Sequence, residues 1–166
     1  MAPARYDPGT KHLFANVQSR GQLVEIDPAT DRVVARIDLA VADGNHGLLI
    51  EPGQRRGFIA CEDSHKLLVL DLETRKVTAS FNVGEGPDVL AYDPGLRWLY
   101  VAAESGSVSV FRVESRQVSP VGGMQIGPNA HAVAVDPDSH RNFFPLKNLA
   151  GRTVLRIMSP STGTGS

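Results

Sequence analysis

The sequence predicts an all-β protein of the β-propeller class, built as about four consecutive four-stranded antiparallel blades that form a partial or half propeller. Three observations predict it. Acid–proline pairs recur every 42 to 44 residues, at Asp7-Pro8, Glu51-Pro52, Asp93-Pro94 and Asp136-Pro137. Six residues after each proline stands an aromatic, Phe14, Phe58, Tyr100 or Phe143, inside the apolar runs HLFANV, GFIACE, WLYVAA and NFFPLK. Nowhere do apolar residues recur at spacings of three and four over a helix length, and a period of about 40 to 50 residues with four strands per unit is that of propeller blades.

Within each unit the strands follow in order. The run before each acid–proline pair is the innermost strand, and the aromatic run is the second. The alternating stretches QLVEID, KLLVLD, SVSVFR and RTVLRI place successive side chains on opposite faces and form the third strands. DPAT and DLET supply Asp and Pro turn chemistry before the outermost strands RVVARIDL and KVTASFNV. In the third unit VESRQVSP is looser, and Pro120 predicts an edge position or a break, because proline has no N–H for a ladder.

The predicted blades are 1–46, 47–89, 90–132 and 133–158, breaking near residues 47, 90 and 133, with 159–166 a disordered polar tail. Residues 1–6 fall on the first innermost strand. The last unit ends after its third strand, RTVLRIM, so fifteen strands are expected rather than sixteen. Unpaired edges and open blade faces recruit another chain, which predicts self-association as a homodimer with eight blades in a ring. A tight four-bladed monomer and a partial copy of a longer propeller are the alternatives.

Composition narrows the function. Seventeen Lys and Arg against eighteen Asp and Glu give a net charge of -1, with no basic patch for nucleic acid. No basic leader followed by an apolar stretch and no apolar run near 18 residues is present, which predicts no signal peptide, no membrane span and a cytoplasmic chain. Cys61 is the one cysteine; it excludes an internal disulfide, has no zinc-type spacing around it, and reads as a small buried apolar residue.

One face offers a site. Six residues before each blade proline, GNHGLLIEP, GPDVLAYDP and NAHAVAVDP carry His46, Asp88 and His131 at equivalent points of the channel mouth. The loops between second and third strands share that face, which adds Glu62, Asp63, His65, Glu104, Lys147 and Asn148. Imidazoles with a carboxylate would suit a divalent metal, and no other cofactor is implied; a His/Asp pair could also hold or deprotonate a polar ligand. Equally, His and Asp at a strand start hydrogen-bond their own loop backbone. Gly86, Pro87, Gly127 and Pro128 read as turn formers and Trp98 as filling between blades.

LYVAAESGSVSVF, QLVEIDPATDRVVARI and VGEGPDVLAYDP together resemble the YVTN-type repeat of the YncE-like propellers over residues 4 to 158. The resemblance implies a disc of seven or eight blades about twice this length, often exported, with a central channel and frequently no established chemistry. With no nucleophile motif, phosphate loop or metal motif in the chain, the first functional expectation is a non-enzymatic binding or interaction module for a small-molecule or protein ligand. The second is a propeller enzyme, lactonase- or lyase-like, with a metal or polar ligand at the channel mouth.

Overall fold

A computed structural model describes residues 4–39, 43–115 and 117–160. Fifteen strands and one 3-10 turn at Gln18–Arg20 make up the described secondary structure, with no α-helix. The first blade comprises β1 (Ala4–Asp7), β2 (His12–Val17), β3 (Gln22–Asp27) and β4 (Arg32–Asp38). The second comprises β5 (Asn45–Glu51), β6 (Arg56–Cys61), β7 (Lys66–Asp71) and β8 (Lys76–Asn82). The third is β9 (Pro87–Asp93), β10 (Trp98–Ala103), β11 (Ser107–Val113) and β12 (Val118–Gln125), and the last is β13 (Ala134–Asp136), β14 (Arg141–Leu149) and β15 (Arg152–Met158). Every sheet is an antiparallel meander in chain order, three with four strands and the last with three. The sheets begin at Asn45 and Pro87, so the breaks anticipated near 47 and 90 fall inside innermost strands, which start at the turn itself. Of the tail anticipated for 159–166, residues 161–166 lie outside the described residues.

The repeat has a local cause in the acid–proline turn. The carboxylate accepts the N–H two residues on in all four blades: Asp7 from Gly9 at 3.0 Å, Glu51 from Gly53 at 3.1 Å, Asp93 from Gly95 at 2.9 Å and Asp136 from Asp138 at 3.1 Å. Such side-chain capping fixes the turn between innermost and second strands. The turn then passes through a left-handed residue, Lys11, Arg55, Arg97 or His140, with φ between 53° and 64°. Pro120 sits on β12, the outer edge of its sheet, beside a register shift at Val110/Phe111, as a residue without an N–H requires.

Each sheet is apolar on both faces, and the cores lie between blades. Phe14, Leu23 and Ile37 of the first blade meet Ile59, Leu68 and Leu70 of the second. Phe58, Leu67 and Val69 of the second meet Leu99, Val101 and Phe111 of the third. Tyr100, Val108 and Val110 of the third meet Phe144 and Leu146 of the fourth. Thus the repeat aromatics Phe14, Phe58 and Tyr100 are buried against the following blade. Phe143 occupies the same register, opposite Ala134 and Ile157, yet is only half-buried; the buried aromatic of β14 is its neighbour Phe144, which faces back to the third blade. Phe143 stays half-buried because, among the described residues, no following blade covers it.

Polar latches reinforce the stack. Asp7, fully buried, accepts Arg55 Nη1 of the next blade at 2.6 Å, and Asp93, also buried, accepts His140 Nδ1 of the next at 2.8 Å. Burial alone would raise the Asp7 pKa, but the Arg55 hydrogen bond and charge, with the turn N–H and Thr10, outweigh it and hold the carboxyl below its ordinary 3.8. Glu25 behaves likewise: burial opposes ionisation, while Arg75 and His12, each at 2.7 Å, win and lower its pKa.

Two outcomes follow. Truncating Phe58 to alanine costs about 3–5 kcal/mol in urea unfolding, as for a fully packed aromatic, and a cost below about 1 kcal/mol contradicts the packing. Asp7→Asn keeps the turn acceptor but removes the charge, and costs about 2 kcal/mol near neutral pH. Because the folded-state pKa is depressed, that difference is present above pH 3.8 and closes as the pH falls below it through the lowered value; unfolding curves of both proteins across that range check it.

Candidate channel-mouth site

Register builds this site before side chains do. Two residues ahead of each predicted mouth residue the backbone turns left-handed, at Gly44, Gly86 and Asn129. The carbonyl of Gly44 accepts the Glu62 N–H and that of Gly86 the Glu104 N–H, both at 2.8 Å. Each bond ties the loop after the second strand to the loop entering the innermost strand, and so sets Glu62 beside His46 and Glu104 against Gly86. Glycine is required at Gly44, where a Cβ would lie 2.6 Å from the Asp63 nitrogen.

His46 is fixed from the first blade. Asn16 donates to the His46 and Gly47 carbonyls at 2.9 and 3.3 Å, and buried Asn45 donates to Asn16 Oδ1 at 3.1 Å and to the Gln22 carbonyl at 3.0 Å. On the other side the Val89 N–H donates to the His131 carbonyl at 3.2 Å. Three consecutive blades thereby present His46, Asp88 and His131 side by side.

Their side chains meet. His131 Nδ1 donates to Asp88 Oδ2 at 2.7 Å, and His46 Nε2 faces the other carboxylate oxygen at 3.4 Å. His46 Nδ1 lies 3.8 Å from Glu62 Oε2. A chain of Glu62, His46, Asp88 and His131 results, with each of the four side chains between a quarter and about a third exposed. Asp88 orients His131 through Nδ1, and its two oxygens are shared between two imidazoles.

Next to this chain opens a cleft of about 510 Å³ lined by Glu62, Asp63, His65, Glu85, Gly86, Glu104 and Ser105. Four carboxylates and no Lys or Arg line it. His65 Nδ1 donates to the Glu62 carbonyl at 2.9 Å, which braces the loop. Glu62, Asp63, His65 and Glu104 therefore line one cleft. Lys147 and Asn148 are not among the lining residues; they lie near the end of β14, where Asn148 Oδ1 accepts the Gly151 N–H at 2.8 Å. Glu85 was missed, although it lies in the same GEGP turn as Gly86 and three residues before Asp88.

Among the described residues no group of three or more His, Cys, Asp and Glu is placed to hold a metal ion. The reason is visible in the chain of contacts, because the imidazoles aim at Asp88 rather than at a shared point. Another hollow, about 420 Å³, lies between the third and fourth blades, but Trp98, Tyr100, Met124, Phe144 and Met158 make it chiefly apolar and remote from these titratable groups. Cys61 is buried, and burial with the nearby Asp43 charge pushes its pKa up to about 12, so it is no nucleophile. No described helix is long and apolar enough to cross a membrane.

No family model matches the sequence, and no curated protein matches it. Solved structures do match. Hydrazine synthase of Kuenenia stuttgartiensis superimposes with a TM-score of 0.82 at 16% identity, covering 94% of this chain and 45% of that one. A protein of Bacteroides uniformis described as a candidate 6-phosphogluconolactonase gives a TM-score of 0.74 at 14% identity, covering 86% of this chain and 46% of that one. The chain thus spans a little under half the length of these structures. With its four consecutive meander sheets, the likeness defines a β-propeller-type fold; at such identities it carries the fold alone.

Proposed function

We propose that this chain is a non-enzymatic binding module of the YncE-like type, and that its channel mouth takes a small ligand bearing an ammonium, guanidinium or comparable cationic group. The observation that carries the reading is the acidic cleft at the mouth, where Glu62, Asp63, Glu85 and Glu104 gather beside the His46–Asp88–His131 chain with no basic residue among them. In a concave site with low-dielectric walls, like charges concentrate potential and favour a counter-charge. The YncE-like assignment rests on the repeat motifs, and the module reading on a rigid scaffold without a nucleophile motif.

A second reading, a hydrolase of the lactonase kind, is favoured by one contact. The Asp88–His131 hydrogen bond of 2.7 Å is the arrangement in which a carboxylate orients an imidazole as general base. The Bacteroides protein's printed description points the same way, but the four cleft carboxylates would repel a phosphorylated substrate, so a neutral or cationic lactone is the substrate class.

Titrating the protein with guanidinium and alkylammonium compounds, followed by NMR shifts of the His46 and His131 rings, tests the first reading. Saturable shifts are expected, abolished by replacing Glu62 and Glu104 together with Gln while the circular dichroism is unchanged. No response to any cation, or binding of phosphorylated sugars instead, contradicts it. Turnover of an uncharged lactone that is lost in Asp88→Asn would establish the second reading.

A further inference from the structure

We infer that the open face of the fourth blade is a docking surface for the first blade of a second copy of this chain. Three independent features converge on that occupant: two exposed apolar rows, their register, and an unused pair of charges.

On the fourth blade, Leu155 is 57% and Ile157 44% exposed, on the face that also carries Phe143. The ladders make Leu155 and Ile157 the counterparts of Leu67 and Val69 in the second blade, because Pro145↔Leu155 and Phe143↔Ile157 match Ala60↔Leu67 and Phe58↔Val69. Leu67 and Val69 are fully buried because the third blade covers them. The same side chains stand uncovered on the fourth blade.

The first blade shows the reciprocal face. Tyr6, Leu13, Ile26 and Val33 form one cross-strand row, with Tyr6 53% and Val33 41% exposed. The corresponding row of the third blade, Tyr92, Leu99 and Phe111, is the one packed onto the second blade. One end of the molecule therefore presents the apolar surface that covers a preceding blade, and the other end presents the surface that needs a following one. Among the described residues no core cluster joins the fourth blade to the first, and the side chains on both end faces stay exposed.

Charge selects the same partner. Within the chain the turn acid of one blade takes the left-handed turn residue of the next, Asp7 with Arg55 and Asp93 with His140; Glu51 and Arg97 occupy the same positions without pairing. The acid left over is Asp136, on the last blade, and the basic residue left over at the left-handed position is Lys11, on the first. Seating a first blade on a fourth with the repeat register brings Lys11 to Asp136. Two such contacts related by a two-fold axis close a ring of eight blades, within the range propellers adopt.

Light scattering on a sizing column tests this. The wild type is expected at twice 17.8 kDa, dissociating on dilution. Leu155→Glu, at a site exposed in the single chain, raises the dissociation constant about tenfold or more while the circular dichroism stays that of the wild type. Lys11→Glu and Asp136→Lys each weaken the dimer about threefold or more, and an equimolar mixture of the two variants restores it, since both contacts are then complementary. A monodisperse 17.8 kDa species at every concentration overturns the inference. So does a dimer indifferent to Leu155→Glu, an open polymer, or failure of the mixed variants to recover.

Discussion

A four-stranded sheet with apolar side chains on both faces is stable only between two partners, and among the described residues no α-helix is available to serve as one. Every other feature answers to that constraint. The three cores lie between blades rather than inside any of them, so each blade contributes one row of side chains backward and another forward. The turn acids serve the same end: Asp7 and Asp93 cap their own turns with one oxygen and hold the next blade with the other, so local turn chemistry and inter-blade attachment share a residue.

The mouth site is a by-product of that stacking. Innermost strands of successive blades start at the same end of the stack, so residues one repeat apart in sequence become neighbours in space. His46, Asp88 and His131 meet for this reason, and the bonds from the Gly44 and Gly86 carbonyls to Glu62 and Glu104 bring the acidic loops to the same rim. Symmetry is broken where blades differ. The fourth blade has Lys147 where its neighbours have Glu62 and Glu104, and its innermost strand is reduced to Ala134–Asp136, which leaves His131 in a loop before it. The acidic cleft accordingly forms between the second and third blades.

Much of this was legible in the sequence because it is periodic. The acid–proline turns, the second-strand aromatics and the order of strands within each blade each follow from a register that can be counted. Burial of Phe143 was not legible, since a side chain's burial depends on whether a blade follows and not on its own strand. For the site, spacing gave equivalent positions but not direction: it did not show that both imidazoles turn to Asp88, or that Glu85 joins the cleft from the turn that holds Gly86 and Pro87. Nor could pattern reveal the Asn16–Asn45 contact that holds the His46 backbone, because polar residues inside a core have no period.

The central claim is that blades are held by packing across their faces, and Phe81 with Phe111 offers the most direct reading of it. These rings belong to the second and third blades, and their centroids lie 5.1 Å apart at 49°. A double-mutant cycle on Phe81→Ala and Phe111→Ala, read by denaturant unfolding, isolates the energy between them from the loss of each side chain alone. A favourable coupling of about 0.5–1.5 kcal/mol is predicted for a tilted aromatic pair in contact. Strict additivity of the two substitutions would contradict the account, because it would mean that the second and third blades do not meet through these faces.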